Sequence, residues 1–380
     1  MTALGRAPLN NLSHVMGDTS SPLLEVTIPA LLKDTVARFG GNEAAVFVAQ
    51  DIRWTYDQFD QAVDSLATGL LDQGFAKGDR VGVWAPNRYE WLLAQFATAR
   101  IGVILVNINP AYRPYELEYA LNKVGCTGLI TARQFKTSDY TGMLAELGTE
   151  KLPDLKTIIV MGDDIPDGMM AFADLMVEPD VPRLDAVTAT LHPNDPVNIQ
   201  FTSGTTGQPK GACLTHRNIV NNALFNVEAM AFSDQDRLCI PVPFYHCFGM
   251  TMGNLGCVTK GATMVVPGEG FDPEATLRAI SDEKCTAVFG VPTMFVAELA
   301  LPNFDTFDFS HLRTGTMAGS PCPIEVMKQV QSRMNLTEIT IGYGMTETSP
   351  VSFQSNVVKS PVWIQPSVSI VSAVRSASSQ

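Results

Sequence analysis

The hydrophobic residues between positions 55 and 74 form the clearest helical pattern in the chain. Gly74 stands where that helix would end. Its apolar positions are Phe59, Ala62, Val63, Leu66, Ala67, Leu70 and Leu71. Short runs rich in Val and Ile then alternate with helical patterns at 88–100 and 114–124; the runs are RVGVW, VILVNI, GLIT and TIIVM. This alternation predicts an α/β fold with mostly parallel sheets.

Residues 178–196 interrupt this periodicity with four prolines, so we expect a connector between two structural halves there. The alternation then resumes with a helix predicted at 217–231 and with the strands VNIQF, TMVV, AVFGV and ITIGY. From position 355 the composition changes: residues 355–380 contain eight serines and no glycine or acidic residue. This segment does not look like a continuation of the same domain.

Composition and charge narrow the classes of partner. A formal net charge of -13 argues against a nucleic acid or an anionic membrane as the main partner. No run approaches the roughly 18 apolar residues of a membrane span. The first residues lack the basic start and apolar core of a secretory signal. Seven cysteines without a CxxC pair suggest buried thiols in a reducing compartment, so we expect a cytoplasmic protein.

The segment TSGTTGQPKG at 202–211 has the features of a phosphate-binding loop. Glycines let backbone N–H groups turn towards one point, and hydroxyls and a lysine supply further donors. The candidate residues are Thr202, Ser203, Gly204, Thr205, Thr206, Gly207 and Lys210. The spacing excludes a Walker-type loop, because only two residues separate Gly204 from Gly207 and a glycine follows Lys210. The flanks predict strand, loop and strand, so backbone amides rather than a helix dipole would hold the anion. A glycine-rich hairpin without a ligand is the alternative.

Three further segments follow in order: PFYHCFGM at 243–250, GTMAGSPCP at 315–323 and YGMTETSP at 343–350. Together with the loop, they resemble the motifs of the adenylate-forming (AMP-binding) superfamily, which contains acyl-CoA synthetases, firefly luciferases and peptide-synthetase adenylation domains. The resemblance covers roughly residues 25–354 and is strongest to medium-chain fatty acyl-CoA ligases. It implies the large N-terminal domain of that fold, with two αβ subdomains.

The resemblance also implies roles for single residues. The loop with Lys210 would cradle the β- and γ-phosphates of ATP, and Thr346 would contact the α-phosphate. Glu347 would help to hold Mg²⁺, and His246 would line the channel between nucleotide and acyl group. These four residues are the catalytic candidates. The adenine-binding candidates are Tyr343, which would stack on the ring, with Gly344 beside it, and Gly319, Ser320 and Pro321, which would form a slot.

Each motif residue has a plainer interpretation when it is taken alone. Tyr343 at the end of a strand would pack, Glu347 would be a solvated carboxylate, and Thr346 would be a cap or turn hydroxyl. A lone histidine in an apolar run, such as His246, is usually a core residue. The methionines of FGMTMGNLGCV suit an acyl pocket, but a core helix explains them equally well. No acidic residue lies at 244–250 to pair with a substrate ammonium, which favours a simple carboxylic acid.

The chain departs from the family after the last motif. No Asp or Glu occurs from 348 to 380, and no late lysine stands in the family's catalytic setting. Compared with the family pattern, we therefore expect an incomplete N-terminal domain over 25–354, an aberrant serine-rich tail over 355–380, and a truncated chain without the small C-terminal lobe. The predicted function is a fatty acyl-CoA synthetase that uses ATP, Mg²⁺ and CoA, impaired by truncation. The alternatives are a non-catalytic fragment that binds a nucleotide or a partner, and a luciferase-like or amino-acid-adenylating enzyme.

Overall fold

The computed structural model describes residues 22–202, 208–357 and 368–370. Its larger sheet has nine strands. Five neighbouring pairs in this sheet are parallel, and the two strands at one edge and the single strand at the other are antiparallel to their neighbours. The strands, in spatial order, are β18 (Val368–Ile370), β17 (Val351–Ser355), β16 (Glu338–Gly344), β15 (Thr314–Met317), β14 (Ala287–Gly290), β12 (Arg237–Cys239), β13 (Thr263–Val266), β1 (Glu43–Phe47) and β2 (Ile52–Thr55).

The second sheet has seven strands, and all of its neighbouring pairs are parallel except β10 with β11. Its spatial order is β11 (Lys210–Thr215), β10 (Pro196–Thr202), β4 (Ile104–Asn107), β3 (Arg80–Trp84), β5 (Gly128–Ala132), β8 (Thr157–Met161) and β9 (Met170–Ala171). A separate hairpin pairs β6 (Gln134–Phe135) with β7 (Ser138–Asp139). The predicted α/β class with mostly parallel sheets is confirmed.

The α-helices of the described part connect and cover these strands. They are α1 (Ile28–Phe39), α2 (Tyr56–Asp72), α3 (Tyr89–Arg100), α4 (Pro114–Val124), α5 (Tyr140–Leu147), α6 (Val181–Thr188), α7 (His216–Ala229), α8 (Gly256–Lys260), α9 (Pro273–Asp282), α10 (Pro292–Leu299) and α11 (Ile324–Arg333). A π-helical segment, Phe248–Leu255, leads into α8. Within the ranges that the structure describes, no helix is long and apolar enough to cross a membrane.

Helix α2 illustrates why the local pattern was a reliable guide. Thr55 and Gln58 form a capping box, in which each side chain accepts a hydrogen bond from the backbone N–H of the other residue. The helix ends near Gly74, whose φ of 85° is a left-handed conformation that glycine adopts without strain. Start, stop and buried face therefore all follow from residues within the helix and its caps.

The segment predicted to be a connector contains α6. Pro182 lies in the first turn of that helix, where a missing N–H costs no hydrogen bond. Arg100 of α3 donates to Asp185 at 2.6 Å and so attaches α6 to the body of the protein. The two sheets do not divide the chain at 178–196, because β1 pairs with β13 in the nine-stranded sheet whereas β10 pairs with β4 in the seven-stranded sheet.

The cysteine prediction needs a correction. All seven cysteines are free, and five are buried, namely Cys126, Cys239, Cys247, Cys257 and Cys285. Cys322 is only partly buried, and Cys213 is exposed. Cys213 lies in β11, which forms an edge of the seven-stranded sheet, so neighbouring strands cover it on one side only.

Candidate functional site

The carboxyl ends of β14, β15 and β16 lie side by side, because these strands are parallel and consecutive in the nine-stranded sheet. Gly319, Ser320 and Pro321 follow β15 and are exposed. Tyr343 and Gly344 end the neighbouring strand β16. Ligands of open α/β sheets bind beyond the carboxyl ends of the strands, so this placement suits a binding site. The fold thus brings together the two groups of residues that were predicted to hold adenine.

Two glycines at this edge are required by geometry. Gly319 has a φ of 85°, a left-handed conformation that side chains disfavour. At Gly344, a Cβ atom would lie 1.9 Å from the carbonyl oxygen of Pro350. The Cys322 thiol donates to the carbonyl of Met317 across the turn that carries Gly319. Both glycines are therefore required by the packing of the chain itself, against Val291 at Gly319 and against the Pro350 backbone at Gly344.

Tyr343 exposes 62% of its surface at this edge. Its ring centroid lies 6.1 Å from that of Phe353, which is the partner of Tyr343 in the β16–β17 pairing. Ile341 and Met345, two residues before and after it, are also exposed. Packing therefore covers only part of the Tyr343 ring, and the remaining surface is open to a stacking ligand.

Thr346 and Glu347 lie in the short 3₁₀ turn Thr346–Thr348, which is separated from β16 by one residue. Thr346 is 9% exposed, and its hydroxyl lies 3.8 Å from the thiol of Cys247. Glu347 is exposed and accepts a hydrogen bond from the Thr202 hydroxyl at 3.0 Å. Because Thr202 ends β10, this bond joins the seven-stranded sheet to the nine-stranded sheet, and with it the first motif to the last.

The candidate phosphate loop is described at both ends. Ser203, Gly204, Thr205, Thr206 and Gly207 lie outside the described residues. Thr202 and Lys210 face each other as partners in the β10–β11 pairing, and Lys210 is exposed.

One contact from outside the motif supports the loop. The hydroxyl group of Tyr119, in α4, donates a hydrogen bond to the carbonyl of Pro209 at 3.1 Å. No signal in the sequence marks Tyr119, because it lies in an amphipathic helix far from the motif. Strand β11 separates the loop from α7, as the flanking patterns predicted.

His246 lies in the segment between strand β12 and the π-helical segment Phe248–Leu255. Its Nδ1 atom accepts a hydrogen bond from the backbone N–H of Phe248 at 3.0 Å. The side chain keeps an exposed edge, yet the surrounding protein lowers the pKa of the imidazole by desolvation. The adjacent Cys247 contacts Thr346, so His246 stands close to the turn that carries Glu347. An exposed edge of this kind does not match the core interpretation of His246.

The segment considered for an acyl pocket is itself buried. Every residue of Phe248–Leu255 lies in the core, where Gln95 donates to the Met250 carbonyl at 3.2 Å and accepts from Asn254 at 2.9 Å. The core-helix interpretation therefore describes this segment.

A cavity of about 410 Å³ lies next to Tyr245, one residue before His246. Its lining residues come mainly from loops that follow β3, β4, β5, β12 and β13, and they include Pro86, Asn109, Arg113, Phe135, Glu269 and Phe271. All five strands are parallel members of their sheets, so their carboxyl ends open onto the cavity. The position of these loops after predicted strands was the signal that could have identified them.

The residues present fit a Mg²⁺ ion that is bound by one protein carboxylate together with the phosphates of a substrate. No group of three acidic, histidine or cysteine side chains that could hold a metal occurs in the part of the chain that the structure describes. Mg²⁺ usually takes one or two carboxylates together with water and substrate phosphates. The exposed Glu347, which accepts a hydrogen bond from Thr202, would be one such carboxylate.

Comparison with known proteins adds independent information. The sequence profile of AMP-binding enzymes matches residues 32–372. The chain is 45% identical over 363 residues to the medium-chain acyl-CoA ligase ACSF2, mitochondrial, of Danio rerio, covering 91% of this chain and 60% of that relative.

Two solved structures share the fold. The anthranilate CoA ligase AuaEII in complex with anthranoyl-AMP matches with a TM-score of 0.78 at 24% identity, over 92% of this chain and 65% of that one. The N-terminal domain of FACL13 from Mycobacterium tuberculosis matches with a TM-score of 0.75 at 23% identity, over 88% of this chain and 79% of that one. The chain spans about 60% of the length of the curated relatives it matches.

Proposed function

The chain belongs to the AMP-binding enzyme family, and from this premise we propose that it carries the nucleotide- and acid-binding part of a fatty acyl-CoA synthetase. The proposed reaction joins a fatty acid carboxylate to the α-phosphorus of ATP with release of pyrophosphate. The thiol of CoA then displaces AMP from the acyl-adenylate. The names of the curated relatives support an acyl substrate, and medium chain length is part of the proposal.

The observation that carries the proposal is the hydrogen bond between Thr202 and Glu347. These residues are 145 positions apart and belong to the first and last motifs. Through this contact, the strand that leads into the phosphate loop meets the turn that carries the candidate Mg²⁺ ligand. In this proposal Glu347 would hold Mg²⁺ together with phosphate oxygens of the bound nucleotide.

The chain's own residues offset the repulsion between two negative reactants. Lys210 supplies a positive charge at the end of the loop, and Thr346 supplies a hydroxyl donor towards the α-phosphate. Bound Mg²⁺ would neutralise phosphate charge, held by Glu347 and by the phosphates themselves. In this proposal His246 orients the substrate carboxylate, which is supported by its adjacency in sequence to Tyr245, a residue of the cavity wall, and to Cys247, which contacts Thr346.

The cavity near Tyr245 supports an acid of moderate size. Its volume of about 410 Å³ lies within the range of small-molecule sites. Its wall combines apolar rings and prolines with a few polar groups. The acyl chain in this proposal enters from the side of His246.

The test is the release of pyrophosphate from ATP that depends on added acid. Acids of increasing chain length, together with amino acids, are compared in the presence of Mg²⁺ and CoA. Lys210→Ala should lower the rate roughly 100-fold, because removal of one oriented donor at such a site costs about 3 kcal/mol. Lys156→Ala is the matched control, since Lys156 is an exposed lysine before β8 and four strands away from β10.

Calorimetry with Mg·ATP separates the two remaining readings of the function. Binding without turnover identifies a nucleotide-binding fragment, and activity with amino acids but not with fatty acids identifies the other adenylating class. Absence of both binding and turnover contradicts the proposal.

We propose that the protein works in a reducing compartment, with the cytoplasm as first choice, because all seven cysteines are free thiols.

A further inference from the structure

Two adjacent asparagines of α7 make the same kind of contact with two distant segments. Asn221 and Asn222 are both 0% exposed. The Asn221 amide accepts from the backbone N–H of Leu24 at 2.7 Å and donates to the Leu24 carbonyl at 2.9 Å. The Asn222 amide accepts from the N–H of Val351 at 3.0 Å and donates to the Val351 carbonyl at 2.9 Å. Each side chain thus pairs with one backbone residue in the manner of a neighbouring strand.

The contact of Asn222 lies next to the candidate site. Val351 begins β17, and the carbonyl of Thr348, at the end of the Glu347 turn, also accepts from Asn222 at 3.3 Å. Within the turn, the Thr348 hydroxyl lies within hydrogen-bond distance of two carbonyl oxygens, that of Met345 at 2.9 Å and that of Pro350 at 2.7 Å. The turn is therefore a compact unit, and Asn222 attaches it to α7.

Helix α7 also belongs to the phosphate side of the site. It follows β11 directly, and β11 begins with Lys210. The Thr215 hydroxyl caps the helix by accepting from the N–H of Asn218. Asn222 of α7 therefore connects the Glu347 turn, through helix α7, to the strand that carries Lys210.

We propose that Asn222 is a positioning residue of the nucleotide site, which holds the turn Thr346–Thr348 at the distance from Lys210 and Thr202 that Mg·ATP requires. This inference rests on the proposed function. It adds to the proposed site one residue, Asn222, that contacts neither the nucleotide nor the metal. Loss of the amide leaves two buried backbone groups of Val351 without a side-chain partner, and the turn gains freedom to move.

A second contact keeps the remainder of β17 in place. Asn226, one helical turn after Asn222, donates to the Gln354 side chain at 2.9 Å. Gln354 in turn donates to Thr340 of β16 at 3.2 Å. Removal of the Asn222 amide should therefore loosen the turn near Glu347 more than it loosens the strand.

The experiment compares Asn222→Ala with Asn221→Ala. The two variants remove the same group from adjacent, equally buried positions of one helix. Asn222→Ala should raise the dissociation constant of Mg·ATP about tenfold, as removal of a residue that orients a metal ligand commonly does. It should also raise the Mg²⁺ concentration at half-saturation. Asn221→Ala should change both by less than about twofold, although both variants unfold at a lower temperature. Equal weakening in the two variants overturns the proposal.

Amide hydrogen exchange of the unmodified protein gives an answer that needs no variant. Linkage requires that a ligand which favours the ordered turn also protects it. Addition of Mg·ATP should slow exchange at Val351 and leave Leu24 unchanged. Equal effects at the two amides, or none at Val351, contradict the proposal.

Failure of the proposed function has a different signature. If the unmodified protein does not bind Mg·ATP, the proposed function fails. The role of Asn222 is then judged without nucleotide, from faster exchange over residues 346–351 in Asn222→Ala than in Asn221→Ala. Equal exchange in these two variants overturns the positioning role by itself.

Discussion

The two sheets contribute to the candidate site in different ways. The seven-stranded sheet offers an antiparallel pair at its edge, β10 and β11, with the exposed Lys210 at the end of a loop. The nine-stranded sheet offers the carboxyl ends of β15 and β16, where backbone geometry requires glycine at 319 and 344. The first sheet therefore presents a charge, which acts over distance and tolerates movement. The second sheet presents a fixed shape, which needs rigid strands.

The two regions also differ in their buried ionisable groups. Burial lowers the pKa of His216, at the start of α7 after β11, to about 4. Burial raises the pKa of Glu298, in α10 beside the nine-stranded sheet, to about 8. The histidine is thus kept neutral, and the carboxyl group is kept protonated. The comparison predicts that a fall in pH destabilises the protein through His216 and that a rise in pH destabilises it through Glu298.

The largest effect should come from Glu298. A carboxyl group whose pKa is raised in the folded state contributes stability below its ordinary pKa, and that contribution is lost as the pH rises through about 8. The free energy of unfolding should fall by roughly 4 kcal/mol between pH 5 and pH 9, and Glu298→Gln should remove this dependence. Urea unfolding at several pH values measures it.

The control for Glu298→Gln is Glu325→Gln, at an exposed position of α11. This control should keep the pH dependence of the unmodified protein. Parallel curves for Glu298→Gln and the unmodified protein would show that Glu298 ionises without cost, and the contrast between the two regions would then be lost.

Gly344→Ala tests the role of shape. The added Cβ would lie 1.9 Å from the Pro350 carbonyl, so backbone must move. We expect a loss of about 3 kcal/mol in the free energy of unfolding. Gly41→Ala is the control, because no atom lies within 4 Å of the added Cβ there. Thermal unfolding measures both. Lys210→Ala, which removes charge, should leave stability nearly unchanged, and equal destabilisation by Lys210→Ala and Gly344→Ala would break the comparison.

His216 should act in the opposite direction from Glu298. A histidine whose pKa is lowered in the folded state contributes stability above its ordinary pKa, and this is lost as the pH falls towards about 4. The expected loss between pH 7 and pH 4 is roughly 3 kcal/mol. His216→Asn, in which the Asn oxygen can replace Nδ1 as acceptor for the Ile28 N–H, should not show it. The exposed His311→Asn is the control, and an unchanged acid transition in His216→Asn would contradict the prediction.

The smallest effect concerns the support of the phosphate loop. Tyr119→Phe removes the hydrogen bond to the Pro209 carbonyl. We expect the dissociation constant of Mg·ATP to rise about fivefold, the equivalent of about 1 kcal/mol, with little change in thermal stability. Tyr115→Phe, on the exposed surface of the same helix, should leave binding unchanged. Calorimetry distinguishes the two, and identical titrations would mean that the loop does not depend on Tyr119.

Prediction from sequence succeeded where the cause was local. Helix α2 has its cap, its buried face and its terminal glycine within about 20 residues. The division of the chain into two sheets could not be predicted in this way. The pattern that marks β1 as a strand does not reveal its pairing with β13, which lies more than 200 residues later.

The candidate site shows the same limit. The motifs mark Lys210, Thr346 and Glu347 as candidates, because their order and composition are distinctive. Nothing in the sequence indicated Asn222, since an asparagine in a helical pattern usually indicates a solvated face. The cavity near Tyr245 was missed for a similar reason, because its wall is assembled from loops after five strands.

By itself, the sequence determined the class of fold, the course of most helices and strands, and the motif residues. These depend on periodicity and on short contiguous segments, so neighbouring residues carry all the information. Tertiary structure alone decided which strands share a sheet, that Thr202 meets Glu347, and that Asn222 holds Val351, 129 positions away. Such contacts form between surfaces that the chain brings together only when its core is packed, because their energy depends on burial and on distance in space.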